Sequence, residues 1–379
     1  MRKRVWIEIS KKNLIHNVKF LKTKLNKDVN FGAVVKSNAY GHGIKEVSTI
    51  LYKHGVKHFM VNTLEEALLL KEKGIKAFIL IMGYIPMQNL EIAVKEGFRF
   101  VFYNKKTIKF LKNIYNKNKE KPLIHIKIET GTNRQGVNIK ELKDFIKELL
   151  NAGIKPEGIY THFANIEDTT DHSYAYYQLT RFKKAQEMIK ASGITPKYVD
   201  TACSAAILLF KETHFNLVRA GISLYGLWPS KETYLSYLIK HGKENTNLKP
   251  VLTWKTVIAQ IKDIEEGECI SYGCSYRTTY PSKIAVLPVG YYEGYDRRLS
   301  NIGYVLIKGK RAPVKGRVCM NMVMVDVTHI EDVKVGDEVI LIGESGKEKI
   351  TADDMAQLLG TINYEVVTRI NNTLPRVIV

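Results

Sequence analysis

Two short stretches of this chain hold residue types that could do covalent chemistry together. In "AVVKSNAYGHG" (33–43) the amine of Lys36 closes a run of small and β-branched residues, and a polar, glycine-containing turn with Tyr40 follows at once. In "LVRAGI" (217–222) the guanidinium of Arg219 precedes Gly221 and Ile222, where a glycine lets backbone N–H groups approach a phosphate. Arg134 in "ETGTNRQG", His162 at the end of "GIYTH" and Ser204 in "TACSAA" each follow or end an apolar run. An amine can form a Schiff base with an aldehyde, and backbone and hydroxyl donors can hold a phosphate. An arginine, always protonated, can meet a ring nitrogen and keep it unprotonated. Together these suggest pyridoxal 5'-phosphate with a ring that draws electrons less strongly than it would beside an aspartate. That suits a reaction whose carbanion is reprotonated promptly rather than diverted into transamination.

Such a set needs a frame that brings distant segments to one rim. Apolar runs suited to buried parallel strands occur at 31–36, 58–61, 77–82, 100–103, 123–128, 158–162, 198–201 and 217–219, with helical patterns between them. "NIKELKDFIKELLNAG" places Ile139, Leu142, Phe145, Ile146, Leu149 and Leu150 on one face and stops at Gly153; "TLEEALLLKEKG" opens with Thr63 and Glu66 in capping-box spacing and stops at Gly74. The alternation predicts an α/β fold, a (β/α)8 TIM-type barrel, whose C-terminal strand ends carry the polar set. A doubly wound open sheet shows the same alternation, and strand counting does not separate the two. Past residue 230 the rhythm changes. "HGKENTNLKP" reads as a linker, and then come strand-like runs broken by Gly, Pro and Asp, with only "ADDMAQLLG" helical. The expected division is a barrel domain over 1–238 and a mostly-β domain over 239–379.

Composition limits the function classes. With 379 residues, 45% hydrophobic and 25% charged, the chain is an ordinary globular one. Its start has basic residues without an apolar run behind them, and "AFILIM" is far too short to span a bilayer, so a cytoplasmic protein without a membrane partner is expected. The formal charge of +20 raises nucleic acid as a partner, but the lysines are dispersed along amphipathic segments and no nucleic-acid motif accompanies them. A solvated surface is the expectation. Cys203, Cys269, Cys274 and Cys319 are scattered without a C-x-x-C pair, which predicts reduced thiols and neither a zinc site nor a disulfide framework.

Seven stretches, "AVVKSNAYGHG", "THFANIED", "VRAGISLYG", "SYGCSY", "LPVGYYEGYDRRLS", "KGRVCMNM" and "TINYEV", follow one another as in the alanine racemases, barrel-fold pyridoxal-phosphate enzymes that the sequence resembles over essentially its whole length. The resemblance implies that Lys36 binds the cofactor and is one of two acid–bases. The other is Tyr272 of the β domain, reaching into the site of the second subunit of a homodimer. Lys36 would serve the D face and Tyr272 the L face of the substrate. Tyr40, Ser204, Gly221, Ile222 and Tyr364 would hold the phosphate, and Arg219 would meet the ring nitrogen with His162 in its network. Arg134 and the backbone of Met320 would hold the substrate carboxylate. Lys127 matches a lysine often carbamylated in the family. The implied reaction is interconversion of L- and D-alanine, with D-alanine feeding peptidoglycan. Thr132, Cys203, Ala220 and Asn321 depart from the family pattern. Asn321, where aspartate is usual, puts the substrate range in question and leaves a broader small-amino-acid racemase, serine first, as an alternative. A barrel-fold decarboxylase would carry a cysteine-bearing β-domain motif and a glycine-triplet phosphate loop, and neither is found. A non-catalytic cofactor carrier would lack the second domain.

Overall fold

The computed structural model describes residues 3–242 and 247–379, so part of the expected linker at 241–250 lies outside the described residues. The chain forms two compact units, one made of Ile15–Ser37 and Ser48–Lys249, the other of Met1–Leu14, Asn38–Val47 and Pro250–Val379. Strands are numbered along the chain from β1 (Val5–Ile9).

The larger unit is a closed parallel barrel. Its strands are β2 (Asn30–Val34), β3 (His58–Val61), β4 (Phe78–Ile81), β5 (Arg99–Phe102), β6 (Leu123–Glu129), β8 (Gly158–Tyr160), β9 (Tyr198–Asp200) and β10 (Leu217–Ala220), with the two-residue β7 (Val137–Asn138) appended to β6. The β5–β6 and β10–β2 pairings close the ring; Arg219 stands opposite Gly32, and Ala220 opposite Ala33. The open-sheet alternative is thereby removed. These strands are short apolar runs because both faces are covered, as in β4, where all four residues are buried. At the N-terminal strand ends the barrel is filled by rings: Phe78 lies 4.9 Å from Tyr198, His125 stacks on Tyr198 at 5.7 Å, and Arg99 covers Phe78 while pairing with Glu157 at 3.0 Å.

The helices follow their patterns. In Leu142–Asn151 the residues Leu142, Phe145, Ile146 and Leu149 are buried, and Gly153 turns the chain with φ 74°. Leu64–Glu72 starts in the expected capping box, Thr63 accepting from the Glu66 amide and Glu66 from the Thr63 amide. Among the described residues no helix is long and apolar enough to cross a membrane.

The smaller unit holds β11 (Leu252–Val257), β12 (Gln260–Ile264), β13 (Ser282–Leu287), β14 (Tyr304–Ile307), β15 (Lys310–Pro313), β16 (Val323–Asp326), β17 (Glu338–Ser345), β18 (Glu348–Ile350) and β19 (Arg376–Ile378). One sheet runs β15-β14-β17-β11-β1-β19 with β18 on β17, and another runs β12-β13-β16. Strand β1 pairs antiparallel with β11 and parallel with β19, so the first residues of the chain belong to this unit. Where the sequence suggests one cut at 238/239, the compact units are assembled from several segments. "ADDMAQLLG" is not the sole helix of this region: Asn363–Thr368 is helical as well. Its "NYEVVT" carries two β-branched valines that read as strand, yet both pack as buried helical residues.

Candidate active site

Lys36 lies just past β2, where the backbone takes an unusual course. Ser37, Asn38, Ala39 and Tyr40 all have φ between 53° and 54°, a left-handed turn built from L-residues, followed by Gly41 at 81° and Gly43 at 101°. Left-handed backbone costs about 1–2 kcal/mol per residue, so this turn must be held from outside. In the barrel unit the Ser37 amide donates to Glu66 Oε1 at 2.6 Å, and Glu66 is the capping-box residue of the next helix. In the smaller unit the Ile44 amide donates to Asn38 Oδ1 at 2.9 Å, and Arg376 donates to the Gly41 carbonyl at 2.8 Å. A Cβ on Gly41 would stand 1.9 Å from the Val367 carbonyl oxygen, so only glycine lets the turn pack on helix Asn363–Thr368. That contact brings Tyr40 to 6.0 Å, ring to ring, from Tyr364.

The barrel gathers Lys36, Lys127, Arg134, His162 and Arg219 into one electrostatic neighbourhood. Burial lowers the Lys36 ammonium pKa, Arg134 and Arg219 push the same way, and Glu66 opposes them. Lys127, buried and donating to Gln135 Oε1 at 3.1 Å, is brought down to about 8 by burial and then by Arg134 and Arg219. Burial and the same cations hold His162 well below its ordinary value, so its ring is neutral at pH 7. Its Nδ1 is buried without a partner among the described residues.

Arg219 is anchored from below. Its Nε donates to Asp200 Oδ1 at 2.6 Å and its Nη2 to the Thr161 carbonyl at 2.7 Å, with the guanidinium over the Tyr160 ring. Burial pushes the Asp200 carboxyl up to about 6, with the guanidinium opposing, so the pair is ionised at neutral pH. Asp200 escaped the sequence reading; an acid ending "YVD" opposite an arginine strand was the available signal. Replacing Arg219 by Ala is expected to lower unfolding free energy by about 3–5 kcal/mol, because it strands a buried carboxylate. Urea titration of the variant checks this, and a loss under about 1 kcal/mol would contradict a buried ion pair.

The loop bearing Arg134 is wound around Glu129, which accepts from the Gly131 amide at 2.6 Å and the Arg134 amide at 3.3 Å. Thr132, one of the departures from the family pattern, donates to the His162 carbonyl at 2.6 Å and so ties this loop to the end of β8. Ser204 is the first residue of its helix and Cys203 the N-cap. Its buried hydroxyl accepts from the amides of Gly221 at 2.9 Å and Ser223 at 3.3 Å, which brings Ser204, Gly221 and Ile222 together. The Ser223 hydroxyl is buried without a partner among the described residues.

In the smaller unit, Tyr272 tops a one-turn 3-10 segment and is 71% exposed. Ser271 beside it donates to the Arg317 carbonyl at 2.6 Å. Met320 is exposed, and its carbonyl accepts from the Tyr292 amide at 2.9 Å. Asn321 donates to Glu293 Oε1 at 2.9 Å; the fully buried Glu293 also takes Arg4 at 3.1 Å and the Gly290 amide at 2.9 Å. An aspartate at 321 would face that carboxylate with its own, a physical reason for the asparagine. The expectation of reduced thiols throughout is corrected: Cys269 and Cys274 form a disulfide, while Cys203 and Cys319 are free. The pairing was missed because a five-residue spacing matches no common motif and depends on a turn that folds back, with Cys269 bridged to Arg277.

A closed barrel that presents an amine of lowered proton affinity amid cations and a neutral imidazole has the makings of an enzyme site for an anionic, carbonyl-bearing cofactor. Comparison with known proteins narrows this. The model of the alanine racemase N-terminal domain matches residues 9–229, and that of the C-terminal domain matches residues 251–378. An alanine racemase of Leptospira interrogans is 43% identical over 99% of this chain and 95% of its own length. Among solved structures, alanine racemase from Bacillus anthracis with bound L-Ala-P superposes with a TM-score of 0.92 at 36% identity, covering 100% of this chain and 96% of that one. The enzyme from Bartonella henselae with covalently bound pyridoxal phosphate gives 0.86 at 29% identity, covering 100% of both chains. The chain belongs to the alanine racemase family.

Proposed function

We propose that the protein interconverts L-alanine and D-alanine with pyridoxal 5'-phosphate attached through Lys36. The observation that carries this reading is the convergence of Lys36, Lys127, Arg134 and Arg219 around a neutral His162. Lys127 and Arg219 are buried and Lys36 partly so, and the mutual repulsion of these cations calls for an anionic ligand, while the unpartnered His162 Nδ1 and Ser223 Oγ suit a polar one. When bound, the cofactor supplies an electron-withdrawing ring that acidifies the α-hydrogen of an attached amino acid. The Ser204 hydroxyl and the Ile222 amide would hold its phosphate, with the Gly221 amide released from Ser204 to join them, and the family resemblance adds Tyr40 and Tyr364. Arg219, fixed by Asp200, would meet the ring nitrogen and keep it unprotonated.

Lys36 and the partner subunit's Tyr272 act as the two acid–bases on opposite faces, which makes a homodimer with shared sites the working form. Lys36 is suited to this because burial and the neighbouring Arg134 and Arg219 lower its pKa, which eases loss of the proton. Arg134 and the Met320 backbone hold the substrate carboxylate. Lys127, with a pKa of about 8, keeps enough free amine to take up CO2, and as a carbamate it would become an anionic partner for Arg134. Production of D-alanine for peptidoglycan in the cytoplasm fits this chemistry.

Asn321 is committed to Glu293, so it bears on substrate choice through the neighbouring Met320. The purified, cofactor-loaded protein is expected to form D-alanine from L-alanine, to turn over serine more slowly, and to leave lysine nearly untouched. An assay coupled to D-amino-acid oxidation checks all three. No D-alanine would overturn the function, and strict selectivity for alanine would remove the broader substrate range.

A further inference from the structure

We propose that Cys269 and Cys274 are a redox-reversible modification site whose cross-link fixes the turn carrying Tyr272, the oxidised form being the more active. This rests on the role given to Tyr272 above. The disulfide closes "CISYGC" with Cα atoms 5.0 Å apart, and Tyr272 lies between its ends. The turn it spans is intrinsically unfavourable: Ser271, Gly273 and Cys274 have φ of 67°, 70° and 44°, and two of these are not glycine. The stem is paired, with the Thr278 amide donating to the Glu268 carbonyl and the Ile270 amide to the Tyr276 carbonyl, both at 3.0 Å. Beyond Ile270 the tip is one 3-10 turn, anchored by the Ser271 hydroxyl on Arg317. Tyr272, Gly273, Cys274 and Ser275 are all exposed in the protomer, so until a partner subunit packs on this turn its order rests on the cross-link and on the Ser271–Arg317 hydrogen bond. A base that must meet an α-carbon within a fraction of an ångström depends on that order.

Cys274 is exposed in the protomer, which opens the bond to exchange there. A dithiol reductant attacks one sulfur and releases the other as a thiolate. Its second thiol then frees the remaining cysteine, so the protein gains two thiols and the reductant becomes a disulfide. Reoxidation by a small disulfide reverses both steps. A third sulfur borders the turn, with Cys319 Sγ 3.5 Å from Ser271 Oγ, and the pairing must be told apart from one that includes it.

The test uses the cofactor-loaded full chain, untreated or reduced with dithiothreitol, with alkylation and peptide mass mapping of each form. Untreated protein is expected to yield a 269–274 cross-link, and reduction to release two thiols. Amide exchange at 271–275 should then rise roughly tenfold and kcat for alanine fall roughly tenfold with KM little changed. Oxidised glutathione should restore both. The double variant Cys269→Ser, Cys274→Ser should sit at the reduced values and ignore dithiothreitol. Free alkylation of both cysteines in untreated protein, a link to Cys319 instead, or equal exchange in the two forms would each overturn the proposal, as would equal kcat in an active enzyme. If neither form turns over alanine, the racemase reading fails, while mapping and exchange still decide whether the turn is held by this bond.

Discussion

Lys36→Ala is expected to remove both the visible absorbance of the cofactor-loaded protein and at least ~10⁴-fold of its turnover. The amine stands at the head of a left-handed turn that Glu66 holds at the Ser37 amide. Burial and the neighbouring Arg134 and Arg219 lower its proton affinity, which is what an amine must have to attack a carbonyl at moderate pH. Folding should survive the change, since a cation is withdrawn from a cluster of cations. Linkage gives a second signature. In the cofactor-free protein, where the amine is unlinked and its folded pKa depressed, the unfolded chain binds more protons between that value and about 10.4, so Lys36 makes stability rise with pH across that interval. The alanine variant loses this part of the slope. Lys36→Arg keeps the charge without the nucleophile and should be equally colourless and inactive. Absorbance spectra with and without borohydride, followed by the D-alanine assay, check the prediction; a variant that stays coloured and active would end the assignment.

Tyr272→Phe separates the second base from the first. The variant should fold and bind cofactor with unchanged colour, because the side chain is exposed in the protomer and its hydroxyl alone is removed. Conversion of L- to D-alanine should fall by about 10²–10⁴-fold, the usual worth of a positioned acid–base. D-Alanine should still exchange its α-hydrogen with deuterated solvent, since Lys36 can remove and return a proton on that face alone. Proton magnetic resonance of each enantiomer in D2O reads this directly, and equal rates in both directions at the parent level would refute the role. The sharing of sites has its own readout. Mixing Lys36→Ala and Tyr272→Phe subunits and letting them exchange should restore roughly a quarter of parent activity, because half of the dimers then carry one intact site. Lack of any recovery after confirmed exchange would place both groups in one subunit.

Much of this was legible in the residues. The eight barrel strands fall within a residue or two of the apolar runs, and the capping box at Thr63 and Glu66 is present, because burial on both faces and helix termini leave local signatures in residue type. The sequence also supplied Lys36, Arg219 and the order of the motifs. It did not reveal that Glu66 serves twice, capping its helix and holding the Ser37 amide, or that Asp200 lies under Arg219. Nor did it announce helix Asn363–Thr368, whose composition favours a strand, or the membership of β1 in a sheet with strands some 250 residues away.

What the linear chain determined by itself was the inventory: which side chains can donate, attack or carry charge, and which runs must be buried. Only tertiary structure decided their states. His162 is neutral and Lys127 titrates near 8 because burial and several cations from separate strands act on them at once, and such a sum exists only after the barrel has closed. The left-handed turn after Lys36 is likewise unfavourable alone and is populated because Glu66, Arg376 and the close pass of Gly41 by Val367 each hold part of it.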